Sequence, residues 1–366
     1  MLLKKDFSVF YEYFILKKMR IYKDHLILSG STVKQALIIL DELAHDAIVF
    51  VVDENDKLLG ALTDGDVRRG LIKGYTTESI VDEITQNNPR YITKGENNLN
   101  KIIEYREANY RIVPVLDENG RIVNIINFRK IRSYLPIDAV IMAGGRGQRL
   151  QPLTDSVPKP LLRVGDKAIM EHNLDRLALY GIDDFWVSVK YLGEQIENHF
   201  GNGKEKNIAI EYVWEDQPLG TIGGVSQIKN FEHDYILITN SDILTNIDYE
   251  QFFLEFLSKD ADLAVLTIPY QVSIPYAVLE TNDGNVKSFK EKPTYTYYSN
   301  GGIYLIKKEM LKYIPSNTFF NATDLMEELI KKDLKVISFP FLGYWLDVGK
   351  HEDFEKAQID IKLIKL

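Results

Sequence analysis

The chain has 366 residues, 45% apolar and 27% charged, a globular rather than disordered composition with room for about two to three domains. A net charge of −9 disfavours nucleic acid as a partner, and the absence of Cys removes disulfides, thiol catalysis and Cys-ligated zinc together. No segment approaches the roughly 20 apolar residues of a membrane-spanning helix, so no membrane partner is expected.

The chain opens with residues 1–7, faintly like a signal peptide. Asp6 and Glu12 interrupt the apolar run, and no small-residue cleavage site precedes Lys17-Lys18. The stretch is read as a structured N-terminal segment of a cytoplasmic enzyme. Residues 47–60 and 110–124 then repeat at an offset of 64, each reading as strand, Asp-Glu-Asn turn, strand. A helical pattern precedes each copy: one opened by a capping box from Thr32 to Gln35, the other over residues 99–108.

This repeat resembles a pair of CBS modules, covering residues 20–75 and 80–135 within a first domain of 1–135. Gly60-Ala61-Leu62-Thr63-Asp64-Gly65-Asp66 fits the motif of that family. The resemblance implies Thr63 facing the phosphate and Asp66 the ribose hydroxyls of an adenine nucleotide. In the second copy Asn127 replaces the Thr and Lys130 the Asp, and an ammonium cannot accept hydrogen bonds from a ribose diol. At most one nucleotide site is therefore expected; a pair that only packs or dimerises stands beside that reading. Pro136 biases its predecessor away from helix, so the second closing helix is expected to end at residues 133–136, and the next domain to span 136–366.

Residues 137–143 suit a buried strand and run into Gly144-Gly145-Arg146-Gly147-Gln148-Arg149-Leu150, then a segment with Pro152, Pro158, Lys159 and Pro160. A Walker loop needs Gly-Lys-Ser or Gly-Lys-Thr, which is missing. A dinucleotide fingerprint needs a Gly where Leu150 stands and a helix that the prolines forbid. There remains a long loop around a triphosphate, its glycines admitting backbone N–H groups and its Arg149 and Lys159 neutralising charge. A plain surface loop is the alternative. The stretch resembles the signature of the sugar-1-phosphate nucleotidyltransferases, with Gln148 where Thr or Ser is common. That resemblance implies nucleotide contacts at Ala143, Gly144, Gly145 and Gly147 and catalytic roles for Arg149 and Lys159.

A helix over 167–180 stopped by Gly181, and strands at 185–190 and 208–214, predict an α/β domain. Its mixed, mainly parallel sheet would be Rossmann-like (GT-A-like), with ligands at the carboxyl ends of the strands. Leu219-Gly220-Thr221 is read as the place of a nucleobase, a turn before a helix being the simpler alternative. Leu-Gly-Thr-x-Gly is similar to guanylyltransferases, which favours GTP. Asp242, ending a strand at 235–239, suits Mg²⁺, or else caps the following turn. A hairpin through Asn282-Asp283-Gly284 leads to Lys290-Glu291-Lys292-Pro293. The resemblance implies Lys292 on the sugar phosphate and Glu291 on a sugar hydroxyl, with Asn300 and Gly302 beside them; a solvated charged face is the alternative. Ala277 stands where the family often has Gly. Asp347, ahead of a helix at 351–364, matches the second metal-binding carboxylate, and only the resemblance brings it to Asp242.

With the CBS pair in front, the architecture resembles the CBS-fused guanylyltransferases of the legionaminic acid pathway, which make GDP-glucosamine from glucosamine 1-phosphate. Mannose-1-phosphate guanylyltransferases and glucose-1-phosphate thymidylyltransferases are close alternatives. The expected partners are a nucleoside triphosphate and a sugar-1-phosphate, the expected cofactor is Mg²⁺, and a homo-oligomer is expected. A sugar-1-phosphate, with a second pKa of about 6, already presents an oxyanion at pH 7, so in-line attack on the α-phosphorus needs no general base. A non-catalytic CBS nucleotide sensor is the alternative from another class, against which both cations and both carboxylates argue.

Overall fold

In the computed structural model, which describes residues 21–94 and 98–364, the two sequence repeats fold around the same turn. The N-terminal segment discussed above lies outside the described residues. The first repeat runs β1 (Leu26–Leu28), α1 (Val33–Leu43), β2 (Ile48–Val52), β3 (Leu58–Thr63), α2 (Asp64–Ile72) and β4 (Gln86–Asn87). The second runs β5 (Ile92–Thr93), α3 (Leu99–Glu107), β6 (Ile112–Leu116) and β7 (Ile122–Asn127). Asp53 Oδ1 accepts from the N–H groups of Asn55 and Lys57 at 2.8 and 2.9 Å, and Asp117 Oδ1 from those of Asn119 and Arg121, both at 2.9 Å. Both hairpins carry a register shift at the same place, between Val51 and Val52 and between Val115 and Leu116.

Strand periodicity divides the apolar residues of this unit. Val49 and Val51 face α1 with Ala36 and Leu40, and Val113 and Val115 pack with Ile102 of α3. The alternate residues Phe50, Val52 and Ala61 meet Ile112, Leu116 and Ile122 of the other repeat, joining the two copies. The capping box of Thr32 and Gln35 opens α1 as read.

The second closing helix does not form. In the first repeat Thr63 and Asp66 make a reciprocal capping box that starts α2. At the equivalent place Asn127 Oδ1 accepts from the Arg129 N–H at 3.0 Å, a local turn that competes with helix, and Lys130 has no acceptor with which to close a box.

By its contacts the chain divides into two units. One holds the residues through Pro136 with Ala178–Asp183 and Gly203–Ala209; the other holds Ile137–Leu177, Asp184–Asn202 and Ile210–Leu366. The later elements are β8 (Ile137–Met142), β9 (Arg163–Val164), β10 (Lys167–Ala168), α4 (Ile169–Ala178), β11 (Asp184–Val189), α5 (Gly193–Phe200) and β12 (Ala209–Trp214). They continue with β13 (Tyr235–Asn240), β14 (Ile243–Thr245), α6 (Tyr249–Ser258), β15 (Leu263–Ser273), β16 (Val278–Asn282) and β17 (Asn285–Lys290). Last come β18 (Thr294–Lys307), α7 (Ala322–Lys331), β19 (Val336–Pro340), β20 (Trp345–Asp347) and α8 (His351–Asp360).

Seven strands form one sheet in the order β12-β11-β8-β13-β18-β15-β19. β8 is parallel to β11 and β13, β15 is parallel to β19, and β18 is antiparallel to both its neighbours, the mixed, mainly parallel α/β sheet that was expected. The helix read from residue 167 starts at Ile169, because Lys167 and Ala168 pair with Val164 and Arg163 instead. No helix among the described residues is long and apolar enough to cross a membrane.

Candidate active site

The glycine-rich loop follows β8 at the carboxyl end of the parallel strands. Gly147 has φ +61°, a backbone that only glycine adopts freely, and its carbonyl accepts from Thr154 Oγ1 at 2.9 Å. The prolines hold the rest of the loop to short 3-10 turns at Gln148–Leu150 and Lys159–Leu161. Leu150 is fully buried and packs with Leu162, Leu244, Leu346, Val348 and Ala357. This small core helps assemble the site, because Arg149 and both aspartates are chain neighbours of its members. Arg149 precedes Leu150, Asp242 lies two residues before Leu244, and Asp347 lies between Leu346 and Val348.

The two aspartates are joined through backbone. β14 pairs antiparallel with β20, Ile243 opposite Asp347, and the Val348 N–H donates to the Asp242 carbonyl at 3.0 Å. Lys159, only 8% exposed, pairs through Nζ with Asp242 Oδ2, and the same nitrogen stands 3.9 Å from Asp347 Oδ1. The Arg149 guanidinium lies against Gly349, where a Cβ would stand 3.3 Å from Nη2. Burial pushes the Asp347 carboxyl above its ordinary range, and the Asp242 charge adds to this against the opposing pull of Lys159 and Arg149. Asp242 Oδ1 and Asp347 Oδ1 are both buried without a hydrogen bond. Two hard oxygen donors left open beside one another suit a divalent cation such as Mg²⁺.

A cavity of about 1130 Å³ opens at this end of the sheet, ample for a nucleoside triphosphate. Its walls include Ala143, Gly144, Gly145, Gly147, Arg149, Lys159, Leu219, Gly220, Thr221 and Asp242. Gly220 also has a packing reason to be glycine: its φ is +79°, and a Cβ would lie 2.6 Å from the Phe320 carbonyl oxygen. Glu291 and Lys292 are not on these walls; they are exposed beyond the β16–β17 hairpin. Asn300 Oδ1 accepts from the Gly302 N–H and from Tyr304 Oη, both at 2.9 Å, at the point within β18 where its register with β15 shifts.

Glu215 stands outside the set expected from the sequence. It follows β12 at the carboxyl end, as Asp242 follows β13, and that shared position is the signal that could have found it. Its carboxylate lines the cavity at 8% exposure, taking a hydrogen bond from Ser188 Oγ at 2.5 Å and one from the Leu219 N–H at 3.2 Å. Lys190 braces it by donating to the Glu215 and Asp216 carbonyls.

A second acidic cluster lies at the amino ends of the strands. Asp138 and Asp184 face one another across the β8–β11 ladder, and with His233 they bring ligand atoms within 4.8 Å of one another. The His233 N–H donates to Asp138 Oδ2 at 2.8 Å. In the other unit, Thr63 Oγ1 donates to Asp66 Oδ2 at 2.5 Å, and Arg69 and Gln86 donate to Asp66 Oδ1. Burial alone would raise the Asp66 pKa, but these hydrogen bonds together hold it below the usual carboxylate range.

Residues 138–362 match the family described as nucleotidyl transferase, and residues 25–73 and 81–137 match the CBS domain. The chain is 30% identical to a UTP–glucose-1-phosphate uridylyltransferase of Synechocystis, over 60% of this chain and 62% of that protein. It is also 30% identical to a mannose-1-phosphate guanylyltransferase of Mycobacterium tuberculosis, over 62% of this chain and 64% of the relative. A D-glycero-α-D-manno-heptose 1-phosphate guanylyltransferase of Aneurinibacillus thermoaerophilus matches at 30% identity over 62% of this chain and 99% of its own. The chain thus spans less than two thirds of the first two relatives. In fold it is similar to a Bacillus anthracis structure assigned as a glucose-1-phosphate thymidylyltransferase, with TM-score 0.51 and 24% identity over 63% of this chain and 97% of that one.

Proposed function

The chain belongs to the nucleotidyl transferase family and carries a pair of CBS domains, and from that premise we propose that it is a sugar-1-phosphate guanylyltransferase. It would join GTP to a sugar-1-phosphate with release of pyrophosphate. The observation that carries this is the convergence of Arg149, Lys159 and Asp242 on one cavity, with Asp347 3.9 Å from the Lys159 nitrogen behind them. Arg149 and Lys159 would hold the triphosphate and draw charge toward the leaving pyrophosphate. The sugar phosphate is ionised at neutral pH, so the protein's work is alignment and charge neutralisation. Members of this family generally use a divalent metal, and Asp242 and Asp347 are the residues that would hold Mg²⁺ here. Bound there, Mg²⁺ would neutralise phosphate oxygens as their charge grows.

Guanine is favoured by Glu215. An ionised carboxylate only accepts hydrogen bonds, and guanine offers adjacent N1–H and N2–H donors where uracil and thymine offer a single N3–H. Glucosamine 1-phosphate leads the acceptors on the resemblance of the two-module architecture, with Glu291 and Lys292 read as its contacts. Thr63 and Asp66 are read as an adenine-nucleotide site on the CBS pair. A cytoplasmic location fits phosphorylated substrates.

The test incubates the protein with each NTP, Mg²⁺ and a panel of sugar-1-phosphates, and measures pyrophosphate. GTP with glucosamine 1-phosphate is expected to lead. Preference for mannose 1-phosphate, or for dTTP with glucose 1-phosphate, would replace the assignment within the family. Release with no pair would favour the nucleotide sensor.

A further inference from the structure

The cation read as the sugar-phosphate ligand, Lys292, stands off its own cavity at the end of a projecting ribbon. β13 pairs with β18 only as far as Thr239 with Ile303, and β19 with β15 only as far as Thr267 with Pro340. Beyond those points β15 and β18 continue as a two-stranded ladder, from Thr267 opposite Asn300 to Ser273 opposite Thr294. At about 3.3 Å per residue this carries Thr294, two residues after Lys292, roughly 20 Å past Asn300. Lys292 itself has φ +44°, a left-handed conformation strained for a side chain of its size.

Such a ribbon is marginal in water alone, and among the described residues both its edges are unpaired by other strands. It also carries Tyr270, Tyr276, Leu279, Phe289, Tyr297 and Tyr298, each 55–76% exposed. Their uncovered surface is on the order of 800 Å², one partner's share of an ordinary stable interface. Among residues 267–300 three Lys offset three acidic residues, so this segment is neutral in a chain of net charge −9 and does not repel its own copy.

We propose that the ribbon is an exchanged arm: in a two-fold dimer each chain lays β15–β18 and the β16–β17 hairpin on its partner and delivers Lys292 to the partner's cavity. A second copy is the occupant because the site lacks this cation in one chain, and folding the arm back would break the ladder from Thr267 to Ser273. The proposal rests on the sugar-phosphate role of Lys292 given above.

Lys292→Ala and Asp242→Asn chains are each expected to lose pyrophosphate release at least about a hundredfold. Co-expressed, they should recover about a quarter of wild-type activity, because half of the dimers are mixed and each mixed dimer holds one intact site. Lys292→Ala with Asp347→Asn repeats the test in case one cavity variant misfolds. Sedimentation of the wild type should give twice the 42.2 kDa of one chain, and Tyr276→Asp with Phe289→Asp should return it to 42.2 kDa. No recovery from either mixture, or a wild-type monomer at assay concentration, overturns the exchange. If wild type releases no pyrophosphate with any substrate pair, the guanylyltransferase reading fails by itself. The arm contact then stands or falls on sedimentation.

Discussion

Asp242 and Asp347 are held side by side by backbone rather than by each other: the Val348 N–H donates to the Asp242 carbonyl at 3.0 Å, and Ile243 faces Asp347 across the β14–β20 ladder. Two like charges so placed repel, and Lys159 pairs closely with Asp242 while standing 3.9 Å from Asp347. The leucines and valine beside them, buried with Leu150, keep the arrangement from relaxing. The site is therefore formed ahead of its ligands.

Asp347→Asn should separate catalysis from stability. Its folded pKa is raised, so any stability tied to its protonation is present below the unfolded value of about 3.9 and is lost as pH rises through the folded value. At pH 7 the uncharged Asn should therefore melt above the ligand-free wild type, with the gap closing toward pH 4. Turnover should fall at least about a hundredfold, and Mg²⁺ should raise the melting temperature of the wild type but not of the variant. A variant that melts lower than wild type at pH 7 would remove the argument from repulsion.

Lys159→Met removes the ammonium and leaves Asp242 without its ion pair in a mostly buried place. Breaking one side of such a pair costs about 3 kcal/mol, read as a lower urea midpoint at unchanged slope. Added Mg²⁺ should restore part of the loss, which a simple packing defect would not show.

Much of this site was legible because its parts are local in sequence. The loop from Gly144 to Pro160 carries its own punctuation, and Asp242 is marked by the strand before it. The meeting of Asp242 and Asp347 was not, since it depends on two short strands, β14 and β20, too brief to leave a pattern. The second closing helix fails for a local reason, Asn127 and Lys130, that was visible as a lost ligand motif and is equally a lost cap. The sequence predicts a hairpin leading to Lys292; its separation from the cavity follows from where β13 and β19 stop pairing, which no local pattern records.

In the CBS unit, Asp66→Asn tests the depressed carboxyl. Because the folded pKa is lowered, its stabilisation is present above the unfolded value of about 3.9 and lost as pH falls through the folded value. The variant should be less stable by about 1 kcal/mol at pH 7, as should Thr63→Ala, which loses the same capping box. The Asp66→Asn deficit should shrink on acidification, whereas that of Thr63→Ala should persist in part. Thermal melts across pH 3 to 7 distinguish them.

Glu215→Gln probes the choice of base. The carboxylate is held by Ser188 Oγ and the Leu219 N–H, contacts that a Gln carbonyl can keep for only one of its two terminal atoms. Stability should fall slightly. If the free lone pairs of Glu215 read the two donors of guanine, kcat/KM for GTP should fall about 10- to 100-fold, because an amide N–H would then face a donor. UTP, with its single donor beside two carbonyl acceptors, should suffer less, so the GTP/UTP ratio is the measurement that matters. An equal fall for both nucleotides would mean that Glu215 supports the cavity wall and leaves the base unread.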